Sequence, residues 1–97
     1  MEKKNLNPFW EELIVEELIR CGVDQFFLCG GWRSAPLAAA VGRNKRATSI
    51  VGNDERGSAF QALGYAKATG KAGVVITTSG TAAANVYPAL IEASMDN

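Results

Sequence analysis

Histidine is missing from this chain, and cysteine appears only as Cys21 and Cys29 among its 97 residues. That shortage closes off several chemistries at once. No Cys/His zinc site can be assembled, no framework of two disulfides can form, and no serine can be paired with a histidine base. Both thiols are therefore expected to be buried and reduced, as in a cytoplasmic protein. Net charge is lacking as well, because ten basic and ten acidic residues cancel. Apart from the short run Arg43, Lys45, Arg46 there is no basic stripe interleaved with aromatic rings, so nucleic acid is not an expected partner. Long apolar runs are absent too. The start MEKKNL leads into a segment interrupted by Glu11, Glu12, Glu16 and Glu17, so neither a signal peptide nor a membrane association is expected.

What is present is a rhythm. Trp10, Leu13, Ile14, Leu18 and Ile19 recur at helical spacing, which predicts a helix from Asn7 to Cys21, with Asn7 as cap, Pro8 in the first position and Gly22 as stop. Gln25 to Cys29 is a short apolar run ending at Gly30-Gly31, as a strand entering a turn would. Ser34 can cap a second helix, with Pro36 in its first turn and Leu37 to Val41 as its body. The cycle then repeats, with strands over Thr48 to Val51 and Gly73 to Thr77. The matching helices are Glu55 to Ala68, closed by Gly70, and Thr81 to Ala93. Apolar strands joined by crossover helices imply an α/β fold, a three-layer αβα arrangement whose parallel sheet of about three strands is covered on both faces. A sheet that small, in a chain that buries only a little over ~60% of its unfolded surface, leaves an open edge. The chain is therefore expected to continue or to pair.

In such sheets ligands collect at the carboxyl ends of the strands. Three loops qualify and should share one rim: Gly30-Gly31-Trp32-Arg33-Ser34, Gly52-Asn53-Asp54-Glu55-Arg56-Gly57 and Thr77-Thr78-Ser79-Gly80-Thr81. The first and third place glycine and small hydroxyl residues at helix starts, which suits either plain capping or an anion. Neither follows the glycine spacing of dinucleotide or P-loop sites, and Ser79 lacks the flanking glycines of a nucleophile elbow. The charged run Asp54-Glu55-Arg56 has an ordinary explanation, because acids in a first turn gain about 0.3–1 kcal/mol from the helix dipole.

Taken together the loops resemble a known family. Arg33-Ser34-Ala35-Pro36-Leu37, Asp54-Glu55-Arg56-Gly57, the segment from Ala62 to Gly70, and the run from Thr77 through Ser79-Gly80-Thr81-Ala82 and Asn85-Val86-Tyr87-Pro88-Ala89 to Ala93 are similar to the N-terminal, pyrimidine-binding domain of thiamine diphosphate enzymes. Within that group they most resemble the SEPHCHC synthase family of menaquinone biosynthesis, which joins 2-oxoglutarate to isochorismate. The resemblance covers nearly the whole chain, residues 1–97, and implies the N-terminal half of a pyrimidine-binding domain.

By this resemblance Glu55 matches the family's catalytic acid, which hydrogen-bonds the N1′ atom of the aminopyrimidine. Holding a proton there favours the imino tautomer, whose 4′ nitrogen takes the proton from the thiazolium C2. The resemblance further implies that Arg33 and Ser34 bind substrate, the arginine offering its fork to a carboxylate. Gly31, Thr78, Ser79 and Gly80 are implied as cofactor neighbours. No residue of this chain is expected to ligate the Mg²⁺ that accompanies the diphosphate, since the family holds both in another domain. A homo-oligomer, dimer or tetramer, is implied as well, with the isolated piece inactive. The first loop departs from the family's usual Pro-Gly-Ser-Arg-Ser, reading Gly30-Gly31-Trp32-Arg33-Ser34 instead. The missing proline frees a φ angle and the tryptophan replaces a small hydroxyl by a bulky ring. Two other readings stay open: a different thiamine diphosphate decarboxylase or carboligase, including split-subunit forms, and a non-enzymatic oligomerisation module with Trp32 filling the old site.

Overall fold

The computed structural model describes residues 2–30, 35–78 and 84–95, with the backbone alone for 2–8. Helix α1 spans Glu2–Arg20, strand β1 Gln25–Cys29, α2 Ala35–Arg43, β2 Thr48–Gly52, α3 Glu55–Thr69, β3 Gly73–Ile76 and α4 Tyr87–Met95. The three strands form one parallel sheet in the order β2-β1-β3. β1 lies in the middle, and its Phe26, Phe27, Leu28 and Cys29 are all buried. Burying each phenylalanine contributes about 1.5–3 kcal/mol.

Alternation along the strands sorts these side chains onto two faces. Phe26 and Leu28, with Val74 and Ile76 of β3, pack with Val15 of α1 and Ala40 and Val41 of α2. On the other face the Phe27 ring meets Tyr65 of α3 edge to face, with centroids 6.0 Å apart. Ala59 and Ala62 of α3, Val75 of β3 and Ala89 of α4 line a narrow apolar groove there. The result is the three-layer αβα arrangement with a parallel sheet, with α1 and α2 on one side and α3 and α4 on the other.

Small residues set how close α3 comes. A Cβ added to Gly73 would stand 2.9 Å from Cε1 of Phe27 and 3.5 Å from the Ala62 Cβ. A side chain at that position would force the Phe27 ring to shift.

Both glycine helix stops are as the sequence predicts. Gly22 has φ 89° and follows α1 in a Schellman turn, the Val23 amide donating to the Leu18 carbonyl and the Gly22 amide to that of Ile19, each at 2.9 Å. Gly70, with φ 75°, closes α3 in the left-handed conformation and donates to the Ala66 carbonyl.

Five expectations are corrected. The first helix starts at Glu2 rather than at Asn7, so Pro8 lies inside it. Glu2, Lys3, Lys4 and Leu6 are good helix formers and carry the helix upstream, although proline withholds one donor. The buried stripe of α1 centres on Val15 with Leu18 and Ile19 beside it, while Trp10, Leu13 and Ile14 are exposed. α1 leans on α2 rather than lying flat on the sheet, so less of its apolar side is enclosed. The helix foreseen over Thr81 to Ala93 is interrupted: Ala84 is helical, a turn follows, and α4 begins at Tyr87. The cause is Pro88, whose ring cannot pass the carbonyl four residues earlier but is tolerated in a new first turn. Finally Cys21 is exposed and only Cys29 is buried, because Cys21 falls at the helix end where the chain turns back. Sheet coverage is also incomplete: Ile50 and Val51 of β2, on opposite faces, are exposed, since neither α3 on one side nor α2 on the other lies far over this edge strand.

Polar contacts tie the loop before β2 to α1. Glu16, about a quarter exposed, accepts from Arg46, from Arg20 Nε at 3.1 Å and from Asn44 Nδ2 at 3.1 Å. Arg43 Nε donates to Glu12 at 2.6 Å. Hydrogen bonding by Arg46, then Arg20 and Asn44, holds the Glu16 carboxyl down at about 2.

Two outcomes follow from this packing. Gly73→Ala should destabilise the protein by about 1–3 kcal/mol through overpacking against Phe27, read as an earlier urea midpoint. The Glu16 contacts are at full strength above the ordinary carboxylate pKa of 4.5 and are lost as pH falls toward about 2. The Glu16 carboxyl carbon signal should therefore titrate near that lower value in NMR, and Arg46→Ala should move the midpoint upward.

Candidate functional site

The parallel register puts all three strand ends on one edge. Cys29 lies opposite Gly52, and Leu28 opposite Ile76. The strand ends that the three foreseen loops follow therefore lie side by side. Chain topology adds a second feature. The connection after β1 runs to α2 on one face, whereas the one after β3 runs to α4 on the other. Neighbouring strands whose exits diverge mark a switch point, the place where open α/β sheets bind ligands.

β2 delivers the chain to this rim and α3 starts from it. Asp54 is the N-cap, extended at φ −138° and ψ 126°, and its carboxylate accepts from the Arg56 amide at 3.4 Å. Its carbonyl takes the first helical bond, from the Ser58 amide at 3.0 Å. Capping is thus done by Asp54, and Glu55 is left as the first residue of the helix. Among the described residues none is hydrogen-bonded to its carboxylate.

Helical spacing then decides where Glu55 stands. The residues three, four and seven positions further on are Ser58, Ala59 and Ala62, all buried against the sheet. Glu55 heads that inward stripe and is half-buried, while Arg56, Gly57, Phe60 and Gln61 occupy the outward side and are exposed. An acid used only for the helix dipole would be as well served by the outward side.

One helical turn after Glu55, Ser58 is 2% exposed and its Oγ has no hydrogen-bond partner. An unsatisfied buried hydroxyl costs about 1–3 kcal/mol. The hydroxyl fills the space in which a side chain on Gly52 would stand, and a Cβ there would collide with it. Gly52, Asn53, Asp54, Gly57, Ser58 and Gln61 together line an open depression of about 310 Å³ beside the start of α3. A larger depression of about 410 Å³ lies between α1 and α2, among Phe9, Glu12, Leu13, Glu16, Ala40, Arg43 and Asn44. None of the candidate residues borders it.

Of the residues singled out from sequence, Glu55 and Thr78 are placed on the common rim, Thr78 just beyond β3 and partly buried, its carbonyl accepting from Thr77 Oγ1 at 3.1 Å. Gly31, Arg33, Ser34, Ser79 and Gly80 lie outside the described residues, as does Trp32. Sequence reasoning passed over Ser58 and Gly52. The available signal was a pair of small residues three positions either side of Glu55. Among the described residues no cluster of three or more His, Cys, Asp or Glu could hold a metal ion, and no helix is long and apolar enough to cross a membrane.

A parallel sheet whose strand ends share one edge, with a half-buried acid at the head of an inward helical stripe there, defines the α/β class of ligand-binding domain. Residues 10–97 match the family model described as "Thiamine pyrophosphate enzyme, N-terminal TPP binding domain", and the chain belongs to that family. It is similar to proteins named 2-succinyl-5-enolpyruvyl-6-hydroxy-3-cyclohexene-1-carboxylate synthase. That of Rubrobacter xylanophilus is 54% identical over 93% of this chain and 16% of the relative. That of Pelodictyon phaeoclathratiforme is 50% identical over 99% of this chain and 16% of the relative. The protein of Chlorobium phaeobacteroides is 50% identical over 100% of this chain and 17% of its own length. The chain thus spans about one sixth of the length of these curated relatives.

Removing the cap separates the two acids. Asp54→Ala should cost about 1 kcal/mol and Asp54→Asn almost nothing, since asparagine caps equally well. Amide hydrogen exchange in the first turn of α3 should speed up in the alanine variant alone.

Proposed function

We propose that this chain is part of the pyrimidine-binding domain of a thiamine diphosphate-dependent SEPHCHC synthase of menaquinone biosynthesis, a cytoplasmic transferase that decarboxylates 2-oxoglutarate and adds the remaining four-carbon unit to isochorismate. The observation that carries this reading is Glu55 at the head of the inward stripe of α3, in a chain about 50% identical to proteins bearing that name.

The residues fit one end of the cofactor. A half-buried carboxylate with a buried hydroxyl one helical turn on suits a protonated ring nitrogen, whereas the described residues offer no metal cluster for the diphosphate and its Mg²⁺. When bound, thiamine diphosphate supplies the nucleophilic carbon that makes loss of carbon dioxide from a 2-oxo acid possible. Glu55 holds a proton at the ring N1′ atom by accepting its hydrogen bond, and the sheltered position strengthens that contact by excluding water. Arg33 and Ser34 follow β1 and bind substrate carboxylate, where a guanidinium fork is suited to two oxygens at once. Gly31, Thr78, Ser79 and Gly80, which follow β1 and β3 in the sequence, would hold the pyrimidine. Activity requires the rest of a longer polypeptide, and the piece by itself is inactive. Val51, Leu90, Ile91 and Met95 are exposed and apolar, which supports a covering surface from a homo-oligomer or from further chain.

In the complete protein, Glu55→Gln should lower carbon dioxide release from 2-oxoglutarate by about 10²–10⁴-fold while the shape of the site is kept. An unchanged rate would remove Glu55 from catalysis. Release from 2-oxoglutarate without product formation from isochorismate would point instead to another carboligase.

A further inference from the structure

The hydroxyl of Ser58 is buried, unpartnered and one helical turn from Glu55 on the same inward stripe. Helical side chains lean toward the helix N-terminus, so Ser58 leans toward the turn that carries Glu55. Buried hydroxyls without partners are uncommon, and one that persists beside a candidate ligand site calls for a use. Gly52 adds a second, independent sign. It ends β2 without a side chain, and the space thereby left open is where the Ser58 hydroxyl sits.

We propose that Ser58 is a positioning residue for Glu55, its hydroxyl donating a hydrogen bond to the Glu55 carboxylate when that carboxylate engages the protonated ring nitrogen of thiamine diphosphate. The inference rests on the reading of Glu55 given above. The hydroxyl is unpaired between β2 and α3. With the ring bound, Ser58 would hold the carboxylate that holds the proton at the ring nitrogen. Gly52 is the companion of this device, because any larger residue would push the hydroxyl aside.

The test uses the complete protein, with thermal unfolding measured without ligand and thiamine diphosphate affinity measured by calorimetry in the presence of Mg²⁺. Ser58→Ala should unfold at the same or a higher temperature, since it loses an unsatisfied polar group, yet bind thiamine diphosphate roughly tenfold more weakly. The double variant Gly52→Ala with Ser58→Ala places a methyl group where the hydroxyl was. It should melt like the wild type and bind as weakly as Ser58→Ala. Wild-type affinity in either variant would overturn the inference, whatever the melting temperature. Glu55→Gln separates the layers of the argument. If it weakens binding while the Ser58 variants do not, only the role of Ser58 falls. If it too binds like the wild type, the reading of Glu55 falls and the inference with it.

Discussion

The close approach of α3 to the sheet is the contact on which the rest depends. Gly73 admits the Phe27 ring, Ala59 and Ala62 present no more than a methyl group, and Gly52 leaves room for Ser58. Each truncation lets backbone come nearer to backbone, and close packing makes the interval unforgiving to added volume. Because α3 is pressed down along its whole inward stripe, its first residue is pressed down too. Glu55 is half-buried at the rim for the same reason that Ala62 is buried two turns below.

The opposite side of the sheet is held by different means. Val15, Ala40 and Val41 close over Phe26 and Leu28, and the ends of α1 and α2 are laced by Glu12, Glu16, Arg43 and Arg46. Exposed ion pairs contribute little to stability, with a median of about 0–1 kcal/mol. Their value here is in register, since Glu16 gathers Arg20, Asn44 and Arg46 and so orients the turn that leads into β2. The edge strand has no such cover on its own faces, and its apolar residues Ile50 and Val51 stay in contact with solvent.

Much of the fold was legible in the sequence where a local rule decides the outcome. β1 matches its expected limits, and Gly22 and Gly70 end their helices because positive φ is cheap only for glycine. Errors arose where two local rules competed. Pro8 looked like a helix start but lies within α1, and the helical spacing after Thr81 concealed the break imposed by Pro88. The stripe of α1 was read from periodicity alone, which gives a face but not how much of that face another element covers. Of the candidate site, Glu55 was singled out by its match to the family's acid, its charged run Asp54-Glu55-Arg56 being ordinary for a first turn, whereas Ser58 passed as an ordinary helical serine.

By itself the amino-acid order determined the alternation of strand and helix, the glycine stops, the acid at the head of α3 and the likeness to thiamine diphosphate enzymes. These follow from backbone preferences and short spacings that act within one turn or one strand. Tertiary structure alone decided that β1 is central, that the three strand ends share an edge, and that Glu55 and Ser58 lie on the covered side of α3. Burial and pairing are properties of what another segment brings to a residue, and that is settled only when β1 is flanked by strands from either side and α3 comes down across them.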